Sequence, residues 1–301
     1  MMYRIVSDWK VDAAQLEDRL QAQAFVACGA TQEKAVGWAP PRGVEHGPLL
    51  EIVAGQWMLR LLVETKVLPA NVVRRHAQER IEQLEASTGR KPGKKEARDI
   101  RDDTRLSLLP QAFTKQSAVM VWISPKTRLL VLDAGSQARA DDVMTELVKA
   151  VDGLAVQLVN TRISPAVAMA GWLSEKEGPA GFSIDQECEL KAADESRAVV
   201  RYARHRLDTD EVSEHIRLGK MPTRLALTWN DHVSLVLTEA LQLKKVSVHD
   251  VVFETAASLQ SDGADDHFDA DVAIATGELE KLIADLIEVL GGEELNTPTT
   301  T

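Results

Sequence analysis

The stretch SAVMVWISPKTRLLVLDA, residues 117–134, decides the fold. It contains two runs of branched and apolar side chains, 117–124 and 128–134, separated by the turn residues PKT. Runs of this kind, bounded by turn residues, are typical of paired strands. Residues 140–151 follow with the apolar spacing of an amphipathic helix. Two strands and a helix that packs on them predict a unit of the α+β class.

The N-terminal residues are expected to complete the sheet of this unit. Residues 50–64 are rich in branched and aromatic side chains and predict one or two strands. Residues 12–24 have apolar side chains at helical spacing. The segment GWAPPRG, 37–43, predicts a turn or loop, because its paired prolines suit neither a helix nor a sheet ladder.

A charged helical pair is predicted between these strands. Residues 71–88 and 94–108 have helical patterns with thin apolar stripes, and the PG pair at 92–93 separates them. Helices with so little apolar surface are expected to project from the body. We therefore predict a first α+β domain (1–70 plus 117–160), a helical tip (71–116) and a second α+β domain (161–301).

The second domain is predicted from a less regular pattern. Residues 163–192 predict short helices around the loop GPAGF, and 197–206 a strand with alternate basic residues. A helix is predicted over 208–219, with Asp208 as its N-cap. Strands at 223–229, 232–238 and 241–248, an acidic loop and a helix at 277–290 complete the chain.

The net charge hides an asymmetry. The 301 residues include 35 Lys and Arg against 46 Asp and Glu, which gives a net charge of −11. Residues 250–301 alone account for −12, so residues 1–249 stand at +1. The total therefore argues against a uniformly basic protein but not against a local basic surface. The acidic groups are expected to face outward and to keep the protein soluble.

The compartment is predicted from what the sequence lacks. Two cysteines, 160 residues apart, form no disulfide framework and suit a reducing environment. We find no signal peptide and no apolar run long enough to span a membrane. The expectation is a soluble cytoplasmic protein with no membrane partner.

Two cation-rich stretches are the candidates for binding a polyanion. The first is the helical pair, densest at GRKPGKK, 89–95. Its candidate phosphate contacts are Arg74, Arg75, Arg90, Lys91, Lys94, Lys95 and Arg98, with Lys115 just after the pair. Flexible cations near a loop can reach phosphates. The alternative is a solvated helical hairpin whose charges pair with one another.

The second stretch is 197–206, which has four arginines and no acid. Its candidates, with two cations that follow the next helix, are Arg201, Arg204, His205, Arg206, Lys220 and Arg224. Period-two alternation would place Arg204 and Arg206 on one face and His205 on the other. Arginines without counterions suit phosphate oxygens. The alternative is a strand edge guarded by charge.

Catalytic motifs are scarce. GRKPGKK lacks the spacing of a phosphate-binding loop, and the seven histidines have no metal-ligand spacing. DDHFDAD, 265–271, gathers carboxylates that could chelate a divalent ion, but it lacks the spacing and mid-loop glycine of a calcium loop, which favours an acidic solvated turn. Glu189-Leu-Lys191 has the ExK form found in metal nucleases, a tripeptide common by chance. We expect a binding protein without cofactor or metal; the alternative is a metal-dependent nuclease, or nuclease subunit, using 265–271.

The sequence resembles a known family along nearly its whole length. GWAPP, LLPQAF, LDTDEVSEHIRLGK, LALTW and FDADVAIATGELEKLIADLIEVLGGE, which begin at residues 37, 108, 207, 225 and 268, resemble the RdgC recombination-associated proteins. The resemblance implies horseshoe-shaped subunits that form a ring-shaped homodimer. It also implies a nucleoid-associated protein that binds double-stranded DNA with little sequence preference, restrains recombinase-driven strand exchange and has no established catalytic activity.

Individual residues carry over from the resemblance. Phe113 matches the family phenylalanine at the ring-closing contact between helical tips. Arg204 and His205 fall where the family has a Lys-Gln pair implicated in DNA binding, so His205 is a departure. Lys220 matches a family lysine. A recombinase or its filament is a further expected partner, and a protein that acts on a recombinase or nuclease through an acidic, DNA-mimicking surface is a third alternative.

Overall fold

Two antiparallel sheets organise the chain. The computed structural model describes residues 1–8, 10–257 and 264–294; for residues 254–257 and 264–266 only the backbone is considered. Within these residues one sheet has seven strands and the other has five. Helices cover both sheets, so the predicted α+β class is confirmed.

The first sheet contains the strands predicted around residue 120. Its strands are β1 Met2–Ile5, β2 Lys34–Ala39, β3 Leu50–Val53, β4 Gln56–Val67, β5 Phe113–Ser124, β6 Leu129–Leu132 and β7 Val156–Leu158. The spatial order is β2-β4-β5-β6-β1-β7, with β3 also paired to β4. Strands β5 and β6 form the expected hairpin, with Trp122 opposite Val131.

Both faces of this sheet are buried. On one face, Val119, Val121 and Ile123 of β5 pack in a core with two helices, α1 Ala13–Gln21 and α4 Gln137–Ala150. On the other face, Trp122 belongs to a second core that is shared with the C-terminal half of the chain. Burial on two faces explains why residues 117–124 read as a nearly unbroken apolar run.

The predicted turn at residues 37–43 is partly wrong. Gly37, Trp38 and Ala39 lie in β2 and pair with β4, and the chain turns only after Ala39. The backbone of residue 25 runs beside this strand, and its N–H donates to the carbonyl of Trp38 at 2.8 Å. A Cβ on Gly37 would stand 2.5 Å from the Cα of Phe25, so a glycine is needed for this close approach.

The charged helical pair lies between β4 and β5, as predicted. Helix α2 spans Ala70–Thr88 and helix α3 spans Lys94–Leu108. Gly89 ends α2 in a left-handed conformation, with φ of 68°. Few side chains between the helices are buried. The guanidinium of Arg80 donates to Thr104 at 3.2 Å and to Ser107 at 3.0 Å, so polar contacts link the pair as well as apolar ones.

The second sheet lies in the C-terminal half. Its strands are β8 Phe182–Ala192, β9 Val199–Ala203, β10 Lys220–Trp229, β11 Val233–Thr238 and β12 Leu243–Val248, in the spatial order β12-β11-β10-β8-β9. The helices of this half are α5 Pro165–Glu175, α6 Asp210–Arg217, α7 Asp250–Ala257 and α8 Ala264–Val289.

Three predictions for this half need correction. The predicted loop at 178–182 is present as far as Gly181, but it joins one helix, α5, to the long strand β8 and not two short helices. Helix α6 begins at Asp210 with Thr209 as its N-cap, and the predicted N-cap Asp208 pairs instead with Arg206. Residues 265–271 lie in the first turns of α8, not in a loop. The boundaries of the three predicted parts stay a prediction.

Helix α8 contacts both halves of the structure. Its buried side chains Leu282, Ile283 and Leu286 pack in the core that the two sheets share. Its carboxylates also face inward: Glu280 accepts a hydrogen bond from Ser124 at 2.9 Å, and Asp285 accepts one from Trp229 at 2.9 Å. The expectation that these acidic groups face outward is therefore wrong for both.

No helix among the described residues is long and apolar enough to cross a membrane.

Leu286→Ala should destabilise the protein by about 2–5 kcal/mol, because the side chain is fully buried and the two sheets cannot collapse around the cavity. Urea unfolding followed by circular dichroism measures this change. Glu288→Ala, at an exposed position of the same helix, is the control and should stay within about 0.5 kcal/mol of the parent. A loss in Leu286→Ala no larger than that in the control would contradict the burial of Leu286 in the shared core.

Candidate nucleic-acid interface

The helical tip presents several cations to solvent. Their side chains are exposed and form no ion pair within the described part of the chain: Arg74, Arg75, Lys91, Lys94 and Lys95. Arg90, in contrast, donates to both carboxylate oxygens of Glu96, at 3.0 and 3.1 Å. Arg98 lies 4.0 Å from Asp102. The hairpin is thus partly self-paired, as the alternative held, and partly free to meet a polyanion.

Phe113 is the first residue of β5 and lies at the point where the tip joins the sheet. It is 86% exposed, and its strand partner Val67 is 45% exposed. The side chain does not fold back onto the body. An aromatic ring so fully in water is unusual unless another chain covers it. Lys115, two residues later, is exposed beside it.

The expected alternation of arginines on one strand is wrong. Strand β9 ends at Ala203, and Arg204 turns the chain with a left-handed φ of 54°. Arg206 then donates from Nε and Nη2 to the carboxylate of Asp208. Arg204 and Arg206 therefore do not share a strand face. Arg204 is exposed and makes no ion pair with any residue that the structure describes.

The expectation that these arginines lack counterions is wrong for Arg201. Its Nε donates to Glu189 on the neighbouring strand β8, with an N–O distance of 2.6 Å. Thr223 on β10 donates to the other carboxylate oxygen at 2.7 Å. The hydrogen bonds from Thr223 and Arg201 hold the pKa of Glu189 below its ordinary value. Arg224 lies directly across from Glu189 on β10.

His205 lies against the ring of Tyr202, at 5.4 Å between centroids. Its Nδ1 is 2.7 Å from the carbonyl oxygen of Arg206, so Nδ1 carries a hydrogen and donates. The opposite nitrogen, Nε2, is then the one that would meet a ligand. A neutral Nε2 can only accept, whereas a protonated ring could donate to a phosphate.

Lys220 is less free than its sequence position indicates. Its ammonium lies 3.1 Å from Nδ1 of His215, and because an ammonium only donates, that nitrogen accepts. Tyr202 supports the same cluster by donating its hydroxyl hydrogen to Glu211 at 3.0 Å. Burial, followed by this contact with Glu211, raises the pKa of Tyr202 to about 12.

The acidic cluster at 265–271 is only partly described. The side chains of residues 265 and 266 lie outside the described residues. The carboxylate of Asp269 accepts from Arg42, which also donates to Glu51. No group of three or more His, Cys, Asp or Glu side chains suited to a metal ion is found in the portion that the structure covers.

Sequence reasoning missed Glu189 and Thr223 as members of this surface. Both are brought to the arginines by strand pairing of β8 with β9 and β10. The alternating pattern of β8 was a usable signal, since residues 183, 185, 187, 189 and 191 point to one face and are exposed or half-buried.

Two sheets bridged by helices, with an inserted helical tip and exposed cations on two separate elements, define an α+β protein. The chain belongs to the RdgC family. The family model described as "Putative exonuclease, RdgC" matches residues 1–293. The resemblance seen in the sequence is thereby confirmed.

Curated relatives agree with this assignment. A protein of Dechloromonas aromatica (strain RCB) is 41% identical over 295 residues, covering 97% of this chain and 96% of the relative. A protein of Bordetella pertussis (strain Tohama I / ATCC BAA-589 / NCTC 13251) is 42% identical over 294 residues, covering 97% of each chain. Both are named "Recombination-associated protein RdgC".

Tyr202 should ionise late in the folded protein, because its phenol is buried and bonded to Glu211. The raised pKa favours the protonated phenol in the folded state. The stabilisation it gives is therefore present below pH 10 and is lost as the pH rises from 10 towards 12. Tyr202→Phe should remove one late transition from the ultraviolet titration. The other tyrosine, Tyr3, is the internal control, and its pKa is also raised by burial. A folded protein in which both phenols titrate at 10 would contradict this environment for Tyr202.

Proposed function

We propose that this protein binds double-stranded DNA without sequence preference and, as a homodimer, restrains homologous recombination at the nucleoid. The observation that carries the proposal is the set of exposed, unpaired cations in a chain whose net charge is −11. Cations on the tip and at Arg204 can neutralise phosphates along any duplex, because phosphate spacing does not depend on sequence. The relatives are named recombination-associated proteins.

The homodimer is a further part of the proposal. Phe113 and Val67 form an exposed apolar pair at the foot of the tip. Two horseshoe-shaped subunits joined there and at a second contact would enclose a ring. A ring would hold DNA by enclosure as well as by charge, and a recombinase filament is the assembly that such a ring would obstruct. In this proposal the protein acts by binding and not by catalysis.

Arg204→Ala should weaken duplex binding about fivefold, equally for unrelated sequences, because a phosphate contact carries no base information. The slope of log affinity against log salt should flatten by about one unit. Fluorescence anisotropy across a salt series measures both. Arg217→Ala removes the same charge from a residue already paired with Glu214, and it should change affinity less. An unchanged slope in Arg204→Ala would remove Arg204 from the interface.

Phe113→Ala should weaken one contact between subunits and shift the protein toward monomer at low concentration. Sedimentation velocity over a dilution series measures the shift. Leu158→Ala, which truncates an apolar side chain exposed elsewhere on the first sheet, should leave the association unchanged. A dimer of equal stability in Phe113→Ala would count against a role of Phe113 in ring closure.

A second candidate function is a metal-dependent nuclease. It is favoured by the family model's description, "Putative exonuclease, RdgC", and by the carboxylates at 265–271. Incubation of linear and circular DNA with the protein and Mg²⁺ distinguishes a nuclease from a DNA-binding protein. Degradation of linear DNA that is lost in Asp269→Ala would favour the nuclease, whereas stable DNA that is retarded in a gel favours the binding protein.

A further inference from the structure

Glu189 lies between two arginines in one row of the second sheet. Its Cα is paired with Arg201 on β9 and with Arg224 on β10. Cross-strand partners point to the same face, so the three charged groups lie side by side across three strands. The row has two positive charges and one negative charge between them.

The carboxylate is the fixed member of this row. Its side chain is only 16% exposed, and Thr223 and Arg201 hold one oxygen each. The guanidinium of Arg201, in contrast, is 74% exposed. An exposed ion pair of this kind contributes little to stability, about 0–1 kcal/mol. It nevertheless occupies the donors with which Arg201 would contact another anion.

At the next outward position of β8, a carboxylate again pairs with a cation. Glu187 accepts from the ammonium of Lys245 at 2.8 and 2.7 Å. Asp185, two residues earlier, accepts from Thr228 at 3.0 Å. Three outward carboxylates thus follow one another along β8, and two of them accept from a cation: Glu189 from Arg201 on the neighbouring β9, and Glu187 from Lys245 on β12, the far edge strand of the sheet.

We infer that Glu189 is a built-in counterion that masks a phosphate-binding pair, Arg201 and Arg224. A phosphate approaching this row must displace the carboxylate from Arg201 and is repelled by its charge. The row therefore binds polyanions more weakly than its two arginines allow. The inference rests on the proposed function in one respect, since it takes duplex DNA as the source of the phosphates.

Glu189→Gln tests the mask directly. The amide keeps an oxygen to accept from Thr223, so the local fold should persist, and a thermal melt checks this. Duplex DNA should bind about fivefold more tightly, and the salt slope should steepen by about one unit, because one arginine, Arg201, is released from its ion pair. Inorganic polyphosphate, measured in parallel, should show the same gain. Arg201→Gln in the Glu189→Gln background should cancel most of the gain.

Glu175→Gln is the matched control. Glu175 is exposed at the end of α5, and the structure shows no ion pair for it among the described residues. The same change in net charge there should alter affinity by less than about twofold. An equal gain in affinity in both variants would mean that net charge alone controls binding, and it would overturn the masking role of Glu189.

The outcomes separate this inference from the proposed function. If the parent protein binds DNA and Glu189→Gln brings no gain, the mask is refuted while the proposed function stands. If the parent fails to bind DNA but Glu189→Gln gains affinity for polyphosphate, the mask stands and the proposed function fails. If no variant binds either polyanion, both are refuted.

Discussion

Helix α8 is the element on which the arrangement of both sheets depends. Leu282, Ile283 and Leu286 are buried between the sheets, and the carboxylates Glu280 and Asp285 of the same helix accept hydrogen bonds from residues of each. Just after the helix, the carboxylate of Glu293 accepts hydrogen bonds from the guanidinium of Arg4 in the first sheet. Because α8 contacts both sheets, it fixes their relative position. The positions of the tip and of the outward face of β8 follow from it. The carboxylates of Glu280, Asp285 and Glu293 therefore serve the fold.

The charge distribution takes a different meaning once these contacts are known. Much of the negative charge of α8 is used within the protein. Glu278 is an example. Burial raises the pKa of its carboxyl group, but the contacts with Lys281 and His232 lower it by more, so the pKa lies below its ordinary value. Carboxylates that are bonded within the protein are not available to form an acidic surface that mimics DNA. The exposed tip charges without an ion pair have both signs: they include the acids Glu85, Asp99 and Asp103 as well as the cations Arg74, Arg75, Lys91, Lys94 and Lys95. These cations and Arg204 are the groups that a passing polyanion would meet.

Local patterns predicted the elements whose signals are local. The tip helices were predicted almost to the residue, because Gly89 and the PG pair at 92–93 end and restart them regardless of tertiary contacts. The hairpin around residue 120 was equally clear. Strand β8 was missed because its outward side chains are polar and its pairing partners lie far along the chain. The strand position of Gly37 and the ion pair of Glu189 with Arg201 were not predicted for the same reason. Each depends on a spatial neighbour that sequence spacing does not reveal.

Retention of the protein on circular and linear duplex DNA tests the proposed ring most directly. Protein bound to a closed circle, and to the same molecule cut once, is challenged with salt and excess competitor. An enclosing dimer should stay longer on the circle, because it can leave a cut molecule by sliding off an end. Equal loss from both forms would contradict enclosure and leave a protein that holds DNA by surface charge alone.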